Sequence, residues 1–185
     1  MNNIGVIGLS VMGMNLALNM ADKGYKVSIY NRTSSVVDEV MRDHGHENFT
    51  PTYDLEDFVK SLERPRRVFL MIKSGKPIDM VIDQLMGLLD EGDIIIDGGN
   101  SYFKDTIRRS NYLEDKKINY LGVGISGGEE GARFGPAIMP SGNREAYEHV
   151  RDIFENISAK AYGEPCCKYI STGGSGHYVK MVHNG

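Results

Sequence analysis

The stretch Ile4-Gly5-Val6-Ile7-Gly8-Leu9-Ser10-Val11-Met12-Gly13 decides the fold of this chain. Its apolar start reads as a buried strand, Ile4 to Ile7, that stops at Gly8. Gly8 and Gly13 are the first and third glycines of the pattern G-x-G-x-x-G, with Ser10 in the middle place. In that pattern the first glycine makes a tight strand-to-helix turn and the second lets the backbone approach a pyrophosphate. The third permits close helix–strand packing. A helix from Met12 to Asp22 follows, ended by Lys23-Gly24, and then a second strand from Val27 to Tyr30. Outside this order the same glycines would make a turn that binds nothing. Within it, the free N–H groups of the helix start face phosphate oxygens, and the Ser10 hydroxyl is a further donor. Gly8, Leu9, Ser10, Val11, Met12 and Gly13 are therefore read as a dinucleotide-binding turn.

Downstream, short apolar runs keep alternating with amphipathic stretches. Helices are expected at Ser35 to His44, Asp54 to Leu62, from Pro77, at Lys104 to Asp115 and at Arg144 to Ile157. Strands are expected at Val68 to Ile72, Asp93 to Asp97 and Ile118 to Val123. This is the pattern of an α/β protein with a Rossmann-type, doubly wound and mostly parallel sheet. Gly124 to Gly142 is read as a long glycine-rich loop, a length that usually marks function or disorder. Residues 1–174 are assigned to one dinucleotide-binding domain, and residues 175–185 to the start of a further helix. That helix, through His177 to Asn184, carries many polar groups and ends after about three turns, so it reads as cut from a longer protein.

Composition narrows the function classes. With 185 residues, a net charge of −4 and 25 acidic against 21 basic residues, the chain lacks the basic excess of a nucleic-acid binder. A local basic pocket for a phosphorylated small molecule remains compatible with that balance. No apolar run reaches the roughly 18 residues of a membrane span, and the N-terminus lacks the features of a signal peptide. Adjacent Cys166 and Cys167 fit reduced thiols of a cytoplasmic protein, and no metal site is expected.

The end of the second strand bears on cofactor choice. Dinucleotide folds that take NAD usually place a carboxylate there for the ribose 2′-hydroxyl. This chain has Asn31-Arg32-Thr33 instead. Without the carboxylate a 2′-phosphate meets no repulsion, and Arg32 and Thr33 can bind it, so NADP is expected. The same three residues could alternatively cap the next helix.

Near the C-terminus Lys180, His183 and Asn184 stand at i, i+3 and i+4 and share a helix face, with Val179 and Val182 free to pack elsewhere. A partly buried lysine can act as a base near neutral pH, although a solvated polar face has the same spacing. Asp97-Gly98-Gly99-Asn100-Ser101 follows a buried strand, where open α/β sheets bind ligands, and also fits a turn with a helix cap. Ser126-Gly127-Gly128 opens the glycine-rich stretch as either an anion-binding nest or a plain surface loop.

Together these segments resemble the decarboxylating 6-phosphogluconate dehydrogenases of the pentose phosphate pathway, from Ile4 to Gly185. The resemblance also rests on Ser126-Gly127-Gly128-Glu129-Glu130-Gly131-Ala132-Arg133, Glu164-Pro165-Cys166-Cys167 and Lys180-Met181-Val182-His183-Asn184-Gly185. It implies that Lys180 is the general base for the substrate 3-hydroxyl, with His183 and Asn184 beside it. It implies that Asn100, Ser126, Gly127, Gly128, His183 and Asn184 contact 6-phosphogluconate. Ile72, Lys73, Ser74 and Asn100 would line the NADP pocket. Ser10 stands where the family usually has alanine. The family also has a large all-helical C-terminal domain, a homodimeric assembly and a proton-donating glutamate after the lysine motif. None of these lies within the 185 residues, so the chain is expected to bind cofactor and not to turn over alone. The alternatives are another β-hydroxyacid dehydrogenase, which generally has Asn-Asn where this chain has His183-Asn184, and a non-catalytic NADP-binding module.

Overall fold

The computed structural model describes residues 1–185 throughout. In chain order the elements are β1 (Ile4–Ile7), α1 (Val11–Asp22), β2 (Val27–Tyr30), α2 (Ser34–His44), β3 (Phe49–Pro51) and α3 (Leu55–Lys60). Then come β4 (Arg67–Leu70), α4 (Lys76–Leu85), β5 (Ile94–Asp97), α5 (Phe103–Glu114) and β6 (Asn119–Ser126). The last part holds α6 (Gly128–Phe134), β7 (Ala137–Gly142), α7 (Arg144–Glu148), α8 (Arg151–Ile157), β8 (Lys160–Ala161), β9 (Glu164–Pro165) and α9 (Ser175–Asn184).

The main sheet has seven strands in the order β3-β2-β1-β4-β5-β6-β7. The first six run parallel, and β7 pairs antiparallel with β6. Chain order reverses between β1 and β4, which opens a crevice at the carboxyl ends of the central strands. Side-chain alternation decides which helices cover which face. Ile94 and Ile96 join the core under α1 and α8, while Ile95 points to the other core with Phe58 of α3 and Ile78 and Ile82 of α4. Burial on both faces explains why these strands are continuous apolar runs.

Two expectations are corrected. Gly124 to Gly142 is not a loop: it contains the end of β6, all of α6 and the antiparallel β7. On β6 the glycines face packed helices, Gly122 against α5 and α9 and Gly124 against α9. A Cβ on Gly122 would come within 2.5 Å of Thr106 Cγ2, and one on Gly124 within 2.7 Å of Lys180 Cβ. Composition that reads as flexibility is here a flattened packing surface. The expected single helix from Arg144 to Ile157 is two helices, α7 and α8, broken at His149–Val150. There the His149 carbonyl accepts a 2.6 Å hydrogen bond from Arg67 Nε, which holds the break.

The packing role of Gly124 yields a test. Gly124→Ala should lower stability by about 1–3 kcal/mol, the usual cost of forcing a methyl group into a filled site. Gly87→Ala, with no atom within 4 Å of the added carbon, should change stability by less than about 0.5 kcal/mol. Urea unfolding followed by circular dichroism measures both.

Candidate active site

The glycine turn is built by close approach of backbone to backbone. Gly8 has φ +99, and a side chain there would run into the carbonyl of Met71 after β4. A Cβ on Gly13 would collide with the Gly8 carbonyl, so α1 sits directly against the turn. Ser10 is the N-cap of α1, and its hydroxyl makes no capping bond. The backbone N–H groups of Val11, Met12 and Gly13 have no carbonyl partner within the protein. These are the donors that an anion at a helix start requires. Leu9 differs, because its N–H is already taken by Asn31 Oδ1 at 3.0 Å.

Asn31 is thereby given a role that its spacing alone did not disclose. Its Oδ1 holds the glycine turn and its Nδ2 donates to the Thr33 carbonyl at 3.2 Å. An aspartate could accept from Leu9 but could not make the second bond. Thr33 is the N-cap of α2, yet its side chain makes no capping hydrogen bond. Arg32 is exposed and forms no ion pair. Both groups are therefore available at the α2 N-terminus, where no acidic residue stands in the first turn.

Three clefts run on from one another across this end of the sheet. The central one, about 520 Å³, is lined by Gly8, Ser10, Met12, Asn31, Ile72, Lys73, Ser74, Gly98, Gly99, Asn100 and Lys180, with Met71 and Ile125. It shares Gly8, Asn31, Ile72 and Lys73 with a more apolar cleft of about 370 Å³ beside Arg32, walled by Leu55, Pro77, Met80 and Val81. It shares Asn100 and Lys180 with a third cleft of about 420 Å³, bounded by Tyr102, His177, Met181 and Asn184. No aspartate or glutamate lines any of the three, although the chain has 25 acidic residues.

Lys180 and Asn100 stand at the junction of the central and third clefts. Lys180 Nζ donates a hydrogen bond to Asn100 Oδ1. Burial pushes the half-buried ammonium below the usual lysine value. Asn100 is held from beneath by Asp97, whose Oδ1 accepts from the Gly99 N–H at 3.0 Å. Asp97 Oδ2 accepts from Ser101 Oγ at 2.5 Å and from the Tyr120 hydroxyl at 2.8 Å. Helix α9 is seated by Gly176 and by His177, which is 3% exposed and bonded through Nδ1 to Thr106 Oγ1 at 2.7 Å.

Not every expected residue joins the junction. Asn184 lines the third cleft, whereas His183 is exposed, lines none of the three, and hydrogen-bonds through Nδ1 to Asn184 Oδ1 at 3.3 Å. Ser126, Gly127 and Gly128 form the turn from β6 into α6 and line none of these clefts; the β6 residue in the central cleft is Ile125. Val182 does not pack but is 59% exposed, because the seat of α9 is Gly176 and His177. Ile125 and the apolar wall at Met80 and Val81 carry no signal in the sequence, and Asp97 stands there only as the first residue of the Asp97–Ser101 segment, without its supporting bonds. Only the position of Asp97 at a strand end hinted at a role. Cys167 is buried against the Tyr147 hydroxyl, and burial pushes its thiol up, away from nucleophile chemistry.

Comparison with known proteins gives a consistent picture. Residues 3–171 match the family described as the NAD binding domain of 6-phosphogluconate dehydrogenase. The chain is 55% identical over 184 residues to the NAD(+)-dependent, decarboxylating 6-phosphogluconate dehydrogenase of Bacillus subtilis (strain 168). It is 54% identical over 182 residues to the NADP(+)-dependent, decarboxylating enzyme of the same organism. These alignments cover 100% and 98% of the chain, and 39% of each relative. A solved structure of Plasmodium falciparum 6-phosphogluconate dehydrogenase, described in apo form, with its cofactor NADP+ and with its substrate 6-phosphogluconate, superimposes with a TM-score of 0.93. It is 43% identical, over 98% of this chain and 39% of that one.

The surroundings of Lys180 set an expectation for its titration. In a pH titration of the lysine-labelled chain by NMR, the signal removed by Lys180→Arg should titrate at lower pH than the other lysines. A Lys180 signal that titrates with the exposed lysines would contradict its burial.

Proposed function

The chain belongs to the 6-phosphogluconate dehydrogenase family, whose NAD-binding domain it carries, and on that premise we propose that it is the cofactor-holding part of an NADP-dependent, decarboxylating 6-phosphogluconate dehydrogenase. The observation that carries the reading is a lysine–asparagine pair at the junction of two clefts, in a series of clefts that no carboxylate lines. The chain spans about 39% of the length of the relatives it matches. Activity, 6-phosphogluconate as substrate, a homodimeric assembly, the pentose phosphate pathway and a cytoplasmic setting are accordingly part of the proposal.

NADP fits the residues present. The free N–H groups of α1 and the Ser10 hydroxyl would hold the pyrophosphate, and Leu55, Met80 and Val81 would flank the adenine. Arg32 and Thr33 would take the 2′-phosphate, and Lys73 and Ser74 would line the nicotinamide side. When bound, the nicotinamide supplies the hydride acceptor.

The remaining chemistry falls to side chains of this chain. Lys180, in its neutral form, takes the proton from the substrate C3 hydroxyl as the C3 hydride departs and the C3 carbonyl forms, while Asn100 Oδ1 holds one of the lysine N–H groups. Now protonated, Lys180 donates to the C3 carbonyl oxygen as the C1 carboxylate leaves as CO2, because that carbonyl receives the electrons of the broken C–C bond. The lowered pKa serves the first step, since a lysine at its usual value would be protonated at neutral pH. Asn184, which lines the third cleft, would bond substrate hydroxyls. His183 and Ser126–Gly128 are proposed as further substrate contacts that need more than these residues to close the site.

Two experiments test this reading. By calorimetry the chain should bind NADPH more tightly than NADH, and Arg32→Ala should cut NADPH affinity by about tenfold or more while leaving NADH nearly unchanged. Equal affinities in the unmodified chain would contradict the NADP assignment. A chimera continuing this chain with the remainder of the NADP-dependent B. subtilis relative should oxidise 6-phosphogluconate. Lys180→Ala in it should lose about 10²–10⁴ in kcat with cofactor affinity retained. Its rate should rise with pH through the lowered lysine pKa, because the neutral amine is the active form. Full turnover in Lys180→Ala would remove lysine as the base and favour a cofactor-binding module with chemistry elsewhere.

A further inference from the structure

Arg109 is the largest fully buried side chain of the molecule, with 2% of it exposed. No apolar core needs it, and burying a guanidinium is costly unless its donors are met. Its contacts lead to two loops. On one side Nη2 donates to the Gly75 carbonyl at 3.0 Å and Nε to Asp79 Oδ1 at 2.8 Å. Gly75 is the N-cap of α4 and follows Lys73 and Ser74, which line the central cleft. The Arg109 bond holds the Asp79 carboxyl below the usual carboxylate range. On the other side Nη1 lies 3.9 Å from Asp97 Oδ2, and no other cation is within 4 Å of that carboxylate. Nη1 is buried without a hydrogen-bond partner. Asp97 in turn fixes Gly99 and Ser101, which flank Asn100.

We propose that Arg109 is a positioning residue that ties the cofactor-side loop Lys73–Gly75 to the Asn100 loop, and so sets Asn100 against Lys180. It touches neither ligand and acts through Gly75 and Asp79 on one side and Asp97 on the other. Arginine suits this task because its planar fork reaches two partners at fixed angles, which a lysine ammonium does not. The unbonded Nη1 is the adjustable member. A shift of the cofactor-side loop moves the guanidinium, and with it the one charge that balances Asp97. This inference rests on the cofactor reading above, in that the Lys73–Gly75 loop is taken to face a dinucleotide.

The test uses the 185-residue chain and Arg109→Met, which keeps bulk and removes the fork. In the ligand-free chain, NMR amide exchange should show Gly99 losing protection by about tenfold or more, with Ile95 and Ile96 of β5 unchanged. NADPH affinity should fall by about tenfold. Adenosine 2′,5′-bisphosphate, which would occupy only the Arg32 end, should bind as before. A residue that served overall stability alone would lower protection in β5 together with Gly99 and would weaken both ligands alike. That result, or unchanged Gly99 protection, overturns the proposal. Should Arg109→Met not fold, Asp79→Asn, at a partly exposed position, is expected to give the same selective loss in smaller measure, and its failure to do so also overturns the proposal. If the unmodified chain binds neither ligand, the cofactor reading fails, while the exchange of Gly99 still decides the role of Arg109.

Discussion

The close seat of α9 on the β6–β7 edge is the constraint on which the candidate site depends. The site proposed here needs a lysine from the last helix beside an asparagine from the loop after β5, and those residues lie 80 positions apart. The contact is possible because glycines on both sides, Gly122 and Gly124 on β6 and Gly176 on α9, let the helix arrive at backbone distance. A Cβ on Gly176 would collide with the Met139 carbonyl, and one on Gly124 would meet Lys180 Cβ at 2.7 Å. The helix therefore approaches at backbone distance, and Lys180 leaves it along the sheet surface into the clefts. Ser141 Oγ stitches the edge further, donating to the Gly122 carbonyl at 2.8 Å, with the Gly173 carbonyl 3.0 Å away. Loss of a few tenths of an ångström here would carry Lys180 away from Asn100 without touching either residue.

The same device recurs at the other end of the cleft. Gly8 and Gly13 bring α1 against the turn and the turn against β4, and the result is a helix start whose N–H groups face open space. Between these two glycine contacts lie the clefts, with Arg32 at one end and Lys180 at the other. The free N–H groups at the start of α1 are fixed by the fold and cost little reorganisation when an anion arrives, which suits the pyrophosphate site proposed above.

Much of this was legible in the sequence, and the exceptions share a cause. Strands β1, β2 and β5 were readable because burial on both faces demands unbroken apolar runs, and the glycine turn because its spacing matches one mechanical job. Strand β6 runs past the expected Val123 and β7 lies inside the expected loop, because Gly124 to Gly142 has loop composition, whereas Gly124 makes room for α9. Helix α9 is readable from Ser175 onward, but its spacing points to Val179 and Val182 as the packing side. Hydrophobic patterning cannot reveal a helix that packs through a glycine and a histidine, and Val182 is exposed as a result. The second use of Asn31, and the support that Asp97 gives Asn100, depend on hydrogen bonds between residues far apart in sequence. No local pattern encodes them.

Charge placement joins these points into one argument. The chain is acidic overall, at −4, so its mean field repels a phosphorylated ligand, and composition alone would not favour such a ligand. Locally the sign is reversed, since the cleft linings contain Arg32, Lys73 and Lys180 and no carboxylate. The one carboxylate that comes near, Asp97, is fully buried and saturated by Gly99, Ser101 and Tyr120, with Arg109 beside it. Its charge is thus turned to holding the Asn100 loop rather than presented to the cleft. An acid three positions further along, in place of Asn100, would pair with Lys180 and stabilise the protonated amine, removing the base proposed above. The neutral amide there accepts a hydrogen bond from the lysine without adding a charge, which is the condition under which burial can hold that lysine below its usual pKa.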